Sequence, residues 1–239
     1  KSDRDIAESM LEALKRKGIE VRLNVHALSM YDTANGMTLT YTDNSDGTPY
    51  FLEGDALLLA TGRRAMTDGL NLHAAGVQTD AQGAIVVNGH LQTTSPHIWA
   101  MGDVRGGSMY DYLSIDDFRI ITNHLFGNKK RNMDDRLPVP YVIFTDPPLA
   151  HIGTTEEEAV KRAIPRARTL QHIDGMLKVI VNAHTGRIMG CTLFCVDAPE
   201  VINLVALAMK NDLHYSVLRD FIFTHPSMSE GLNDLFKAF

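Results

Sequence analysis

The sequence predicts an α/β architecture over its first half and an α+β architecture over its last hundred residues. Three observations carry this. Asp55-Ala-Leu-Leu-Leu-Ala60 is a continuous apolar run ending in Thr61-Gly62-Arg63, the pattern of a strand buried on both faces of a parallel sheet. Ile6, Met10, Leu11 and Leu14 recur at helical spacing ahead of it. Beyond a charged stretch from Lys129 to Pro138, strand patterns separated by turns give way to helical ones. The first half therefore has the grammar of the later part of a doubly wound domain without its first βαβ unit. The second half predicts a small antiparallel sheet with helices.

The elements follow in order. Ser2 and Asp5 have capping-box spacing, the helix behind them ends in Lys15 to Lys17, and Gly18 stops it. Ile19 to Val25 and Met37 to Thr42 predict strands, Asn44-Ser-Asp-Gly47 a turn, and Tyr50-Phe51-Leu52 the return. A glycine-containing polar stretch leads to a strand at Ile98-Trp-Ala-Met101, and a helix is predicted from Tyr112 to Leu125, ended by Gly127. Past the boundary at Lys129 to Pro138, strands are predicted at Tyr141 to Phe144, Leu149 to Gly153, Leu177 to Val181 and Ile188 to Val196. Thr155 and Glu158 cap a short helix reaching Lys161. Pro199 opens an amphipathic helix with Val201, Ile202, Leu204, Val205, Leu207 and Ala208; Leu213 to Phe223 reads as helical, and Pro226 starts a last helix.

Composition excludes several function classes. With 44% hydrophobic and 22% charged residues in 239, the chain supports a folded core. Its 23 basic against 29 acidic residues give a net charge of −6, which argues against a nucleic-acid partner. No run approaches the roughly 18 apolar residues of a membrane span. Lys1-Ser-Asp-Arg-Asp5 lacks the apolar core of a signal peptide, so a cytoplasmic setting is expected. Cys191 and Cys195 lie four residues apart in one predicted strand, about 13 Å along it, whereas a disulfide needs its Cα atoms within about 7 Å. Two reduced, buried thiols are expected; a redox or metal pair is the alternative. No G-x-G-x-x-G, P-loop, C-x-x-C or H-E-x-x-H pattern occurs, and no metal site is expected.

Three segments are candidate sites. In Thr93 to Asp103, a predicted strand ends in Gly102 and Asp103; ligands of open α/β sheets bind beyond such strand ends. Gly102 permits close backbone approach, Asp103 accepts hydrogen bonds from sugar-alcohol hydroxyls, and the following helix aims its N-terminus at an anion. Gly-Asp is equally an ordinary turn pair. Gly62 and Arg63 fit a tight turn after a strand, with or without a ligand. His225 with Glu230 is a possible acid/base pair in which a carboxylate fixes the imidazole tautomer. Ser227 and Glu230 also have the spacing of a purely structural capping box.

Taken in order, the segments form a larger pattern: Asp55 to Arg63, Ala75-Gly-Val77, Gly83-Ala-Ile-Val-Val87, Thr94 to Asp103, Val139 to Pro148, Ile152 to Glu157, Leu177-Lys178, Thr185 to Gly190 and His225 to Glu230. The set resembles the pyridine nucleotide-disulfide oxidoreductases, the family of glutathione reductase, dihydrolipoamide dehydrogenase and mercuric reductase. Tyr110 to Arg119, Asp134-Asp-Arg136 and the Ser-Met-Ser ending resemble its subgroup that responds to reactive chlorine and reduces copper(II). The resemblance implies residues 1–64 from the NAD(P)H domain, 65–137 from the second segment of the FAD domain, and 138–239 as the interface domain that pairs two subunits. It implies that Asp103 meets the FAD ribityl chain and that His225 with Glu230 serves the partner subunit's active site.

The family's FAD and NAD(P)H glycine turns and its redox cysteine pair have no counterpart here, and Cys191 and Cys195 do not match that pair. The expectation is therefore the C-terminal fragment of an FAD- and NAD(P)H-dependent reductase whose acceptor is a disulfide or a metal ion. Alone, the fragment would hold neither cofactor tightly and would act as a non-catalytic dimerisation module. Ser227 stands where threonine is usual. The stretch from Glu158 to Ile164 is short for the family, which predicts a missing sheet strand.

Overall fold

Helix α1 (Arg4–Arg16) forms over the expected amphipathic stretch, but the Ser2/Asp5 cap does not form: Asp3 occupies the N-cap position without a side-chain cap bond. The carboxylates of Asp3 and Asp5 turn instead to Lys178. The computed structural model describes residues 2–34, 36–136, 138–161, 165–172, 175–237 and 239. They divide into two compact units, 26–137 and the paired segments 1–25 with 138–239.

In the 26–137 unit, strands β1 (Val25–Thr33), β2 (Gly36–Asp43) and β3 (Pro49–Gly54) form a sheet in that order. The predicted strand at 19–25 is not formed. Residues 19–23 carry no strand assignment, and Asn24, at φ 58, lies in the left-handed region that interrupts extended backbone. β2 and β3 pair antiparallel from Met37 opposite Gly54 to Thr42 opposite Pro49. Their turn is built by the Asp43 carboxylate, which accepts from the Ser45 N–H at 2.8 Å, and by Gly47 at φ 68.

The run 55–60 is not a buried strand: Leu58 is 88% exposed. A parallel strand needs hydrogen-bonded neighbours, and none of the described residues pairs with this run. The parallel neighbours that a doubly wound sheet gives such a run are therefore not among the described residues. The predicted strand at 98–101 reduces to one bridge, Trp99 opposite Gln92, beside a small core of Val77, Ile85 and Ala100. A 3-10 turn, Gly102–Arg105, then precedes α2 (Asp111–Phe126).

In the second unit, β4 (Tyr141–Ile143), β5 (Leu149–Gly153), β6 (Pro165–His172), β7 (Gly175–Asn182) and β8 (Ile188–Phe194) make one antiparallel sheet, ordered β4-β5-β8-β7-β6. Helix α3 (Glu156–Lys161) follows β5 in the chain. β6 supplies the strand expected to be missing, pairing with β7 from Pro165 opposite Asn182 to His172 opposite Gly175. Of the short stretch ahead of it, residues 162–164 lie outside the described residues.

Alternation along the strands gives this sheet two chemically different faces. Ala150, Ile152, Leu177, Val179, Cys191 and Leu193 join helices α4 (Ala198–Lys210) and α6 (Gly231–Phe236) in the main core. Leu149, Met176 and Phe194 meet Ile6 and Ala13 of α1 on the other face, which also carries Lys178. The helix expected at 213–223 shrinks to one turn, α5 (Ser216–Arg219). Its continuation is intercepted by Asn233, whose side-chain amide donates to the carbonyls of Leu218, Arg219 and Phe221. The last helix begins not at Pro226 but with a 3-10 turn at Met228 that leads into α6.

Candidate functional site

Two of the sequence candidates meet in the 26–137 unit. Gly102 opens the 3-10 turn at φ 72, and a Cβ there would lie 3.0 Å from Ser114 Oγ. Both conditions favour glycine. Asp103 follows with its side chain half-exposed, 3.9 Å from the Arg63 guanidinium. Arg63 also donates to the Met109 carbonyl at 2.6 Å, which ties the 55–63 run to the loop before α2. Gly62 sits at φ 119 with nothing within 4 Å of a built Cβ. Backbone conformation, not close packing, selects glycine there. No side chain caps the N-terminus of α2, which leaves that end to a ligand or to solvent.

The sequence reading missed what lies beneath this turn. Asp116 and Asp117 share the buried face of α2 with Leu113 and Ile120. Asp117 binds the Gly102 N–H, Arg105 and Arg136. Asp116 pairs with Arg136 and Arg131. The signal was present: 113, 116, 117 and 120 fall on one helical stripe, where two carboxylates among apolar neighbours call for buried cations. Lys178 was missed in the same way, a lone cation inside the apolar run 177–181.

In the other unit, His225 Nδ1 lies 2.8 Å from Glu230 Oε2, and Glu230 Oε1 accepts from the Ser227 N–H at 2.7 Å. One carboxylate thus holds the backbone turn and the imidazole together. Nδ1 carries the proton in this contact, which leaves Nε2 as the exchanging nitrogen. Hydrogen bonding to Glu230 raises the His225 pKa above its usual value. The same bond, with that from Ser227, holds Glu230 below the usual carboxylate value. The ring is 83% exposed.

Cys191 and Cys195 are both free thiols. Burial pushes both thiols up, that of Cys195 to about 11, so neither is a ready nucleophile at neutral pH. No group of three or more His, Cys, Asp or Glu side chains suited to a metal ion occurs among the described residues. No helix among them is long and apolar enough to cross a membrane.

Residues 1–121 match the family described as pyridine nucleotide-disulphide oxidoreductase, and residues 139–236 match the dimerisation domain of that family. The chain belongs to the pyridine nucleotide-disulphide oxidoreductases. A probable member, RclA of Escherichia coli strain K12, is 44% identical over 249 residues, covering 99% of this chain and 55% of the relative. A mercuric reductase of Staphylococcus aureus is 32% identical, covering 96% of this chain and 44% of its own length. The solved Cu(II) complex of the HOCl-induced flavoprotein disulfide reductase RclA from Escherichia coli superposes with a TM-score of 0.92 at 42% identity, over 99% of this chain and 55% of that one. The chain thus spans about half the length of the curated relatives it matches.

Members of this family are enzymes that use FAD and NAD(P)H. The residues of the 102–105 turn fit a flavin dinucleotide. Gly102 takes a backbone conformation that favours glycine, the half-exposed Asp103 carboxylate accepts hydroxyl protons, and the N-terminus of α2 has no side-chain cap.

Proposed function

We propose that this chain is the later portion of an FAD-dependent NAD(P)H oxidoreductase that passes electrons to a disulfide or metal-ion acceptor. Residues 1–64 then belong to the NAD(P)H domain, 65–137 to the FAD domain and 138–239 to the interface domain. When bound, the flavin supplies the redox chemistry, taking reducing equivalents from NAD(P)H and delivering them to the acceptor. Asp103 accepts hydrogen bonds from the ribityl hydroxyls, with Gly102 letting the cofactor approach the backbone. Gly62 and Arg63 border the same turn. Where the acceptor is a disulfide, His225 protonates the departing thiolate through Nε2, and Glu230 holds its tautomer. A metal-ion acceptor is supported by two relatives, one named as a mercuric reductase and one solved with Cu(II). The free thiols suit a reducing, cytoplasmic setting.

A homodimer through residues 138–239 is supported by the dimerisation-domain match and by exposed apolar side chains in that unit. Leu207, Val217, Phe221 and Ile222 all reach solvent there, as expected of an interface awaiting its partner.

The observation that carries the catalytic reading is the 2.8 Å contact between His225 and Glu230. The test is His225→Gln in the full-length enzyme, with the two half-reactions measured separately. Flavin reduction by NAD(P)H should stay near normal, while turnover with the oxidised acceptor falls at least about tenfold. Normal turnover by a dimeric, flavin-loaded variant would return His225 to a structural role.

A further inference from the structure

The residue that places Asp103 is not adjacent to it in sequence. Asp117 is fully buried on α2. Its Oδ2 accepts from the Gly102 N–H at 2.8 Å and from Arg105 Nε at 2.7 Å. Its Oδ1 accepts from Arg136 Nη2 at 2.8 Å. The two Oδ2 bonds fall at the first and last residues of the 3-10 turn, so one oxygen grips both ends of the segment that contains Asp103. Gly102, at φ 72, has the backbone freedom to turn its N–H onto Asp117. Among the described residues, the Asp103 carboxylate pairs with the exposed Arg63, at 3.9 Å, and such pairs constrain little. The backbone of the turn therefore sets where this carboxylate can reach, and Asp117 holds that backbone at both ends.

The rest of the network holds Asp117 in turn. Arg136 bridges it to Asp116, with Nε 3.0 Å from Asp116 Oδ2, and Arg131 pairs with Asp116 from the other side. Bonds from charged donors to a buried carboxylate are short and directional, and a buried carboxylate that loses them is strongly disfavoured. Asp117 thus has one well-defined position.

We propose that Asp117 is a positioning residue for the flavin: through the Gly102 N–H and Arg105 it fixes the turn that aims the Asp103 carboxylate at the cofactor. This rests on the reading of Asp103 as a flavin ligand. A purely structural staple makes a different prediction, because its loss would weaken cofactor binding whether or not Asp103 is present.

The experiment is a double-mutant cycle in the full-length enzyme, stripped of flavin and titrated with FAD while flavin fluorescence is followed. The four proteins are wild type, D103A, D117N and D103A/D117N. D103A should weaken FAD binding about ten- to a hundredfold. D117N should weaken it at least about tenfold when Asp103 is present and less than about threefold when it is absent. An equal loss in both backgrounds, or no loss from D117N, overturns the positioning role. No loss from D103A instead overturns the flavin reading of Asp103, and the positioning role with it. R136Q is the second variant should D117N fail to fold. It leaves Asp117 with Arg105 and Asp116 with Arg131, so buried charge stays paired. It should weaken FAD binding about threefold or more, again only when Asp103 is present; an effect independent of Asp103 counts against the proposal.

Discussion

Lys178→Met puts the electrostatics of the α1-facing sheet surface to a direct test. Lys178 is 2% exposed. Its Nζ lies 2.5 Å from Glu156, 2.9 Å from Asp5 and 3.2 Å from Asp3. Burial pulls the lysine pKa down, but the hydrogen bonds and charges of the three carboxylates outweigh it, and the value ends above 10.5. A folded value above the unfolded one means that this stabilisation is complete below pH 10.5 and is lost as the pH rises past it. Methionine fills the space and removes the cation, leaving three carboxylates facing one another. Removing one partner of a buried charge cluster costs about 3–5 kcal/mol. The Asp5 and Glu156 side chains are 39% and 43% exposed, so water reaches them, and the lower end, about 3 kcal/mol, is expected. At an m-value of about 2 kcal/mol/M this is a fall of ~1.5 M in the urea midpoint. Circular dichroism gives the midpoint, and hydrogen exchange at the β7 and β8 amides localises the loss. A shift below about 0.5 M at pH 7 would refute the electrostatic account.

Three further outcomes are expected. Glu230→Gln should lower the His225 pKa that Glu230 now raises, moving the limb of the full-length enzyme's pH profile assigned to protonated His225 towards acid; an unmoved limb would detach His225 from catalysis. Buried His151 has Nδ1 2.8 Å from Thr192 Oγ1 and Nε2 3.0 Å from the Gly153 carbonyl, and burial lowers its pKa below 6.5. Its contribution to stability is present above 6.5 and lost as the pH falls towards the folded value, so acid unfolding of His151→Gln should show a shallower slope as the pH falls below about 6.5. Ile222 is 92% exposed, and if it is buried in a dimer, Ile222→Glu should weaken pairing at least about tenfold, from the loss of about 1.5–3 kcal/mol of burial; light scattering that shows equal dimer content in the variant and the parent would place Ile222 outside the interface.

Elements with short-range causes were legible in the sequence. The 3.6-residue period of α1, α2 and α4 and the alternation of β5, β7 and β8 are local properties, and those elements form close to where the pattern puts them. The run 55–60 shows the limit: its apolar character says that it wants burial, but only neighbouring strands provide it. Asn233 shows another, since a side chain fourteen residues from Arg219 ends the helix that the 213–223 pattern favours. The contact of His225 with Glu230 was legible because both partners lie within six residues. The anchoring of the 102–105 turn was not, because Asp117 lies twelve residues past Arg105, inside α2, and Arg136 beyond the end of that helix. The position of Asp117 on the helix stripe marks it as buried, without revealing what it holds.

The two faces of β7 bear on how the chain finds its pairing during folding. A slip of one residue against β8 would turn Lys178 beneath α4 and α6 and move Val179 beneath α1. An ammonium group there would sit among Ile152, Val201 and Leu235, whereas in the native register it meets three carboxylates. A misaligned hairpin therefore forfeits both a hydrophobic match and a charge match. A strand made wholly of valine, leucine and isoleucine would discriminate less sharply, because either face could be buried under either layer. In this sheet one cation makes the alternatives unequal, and it does so before any cofactor or second subunit is present.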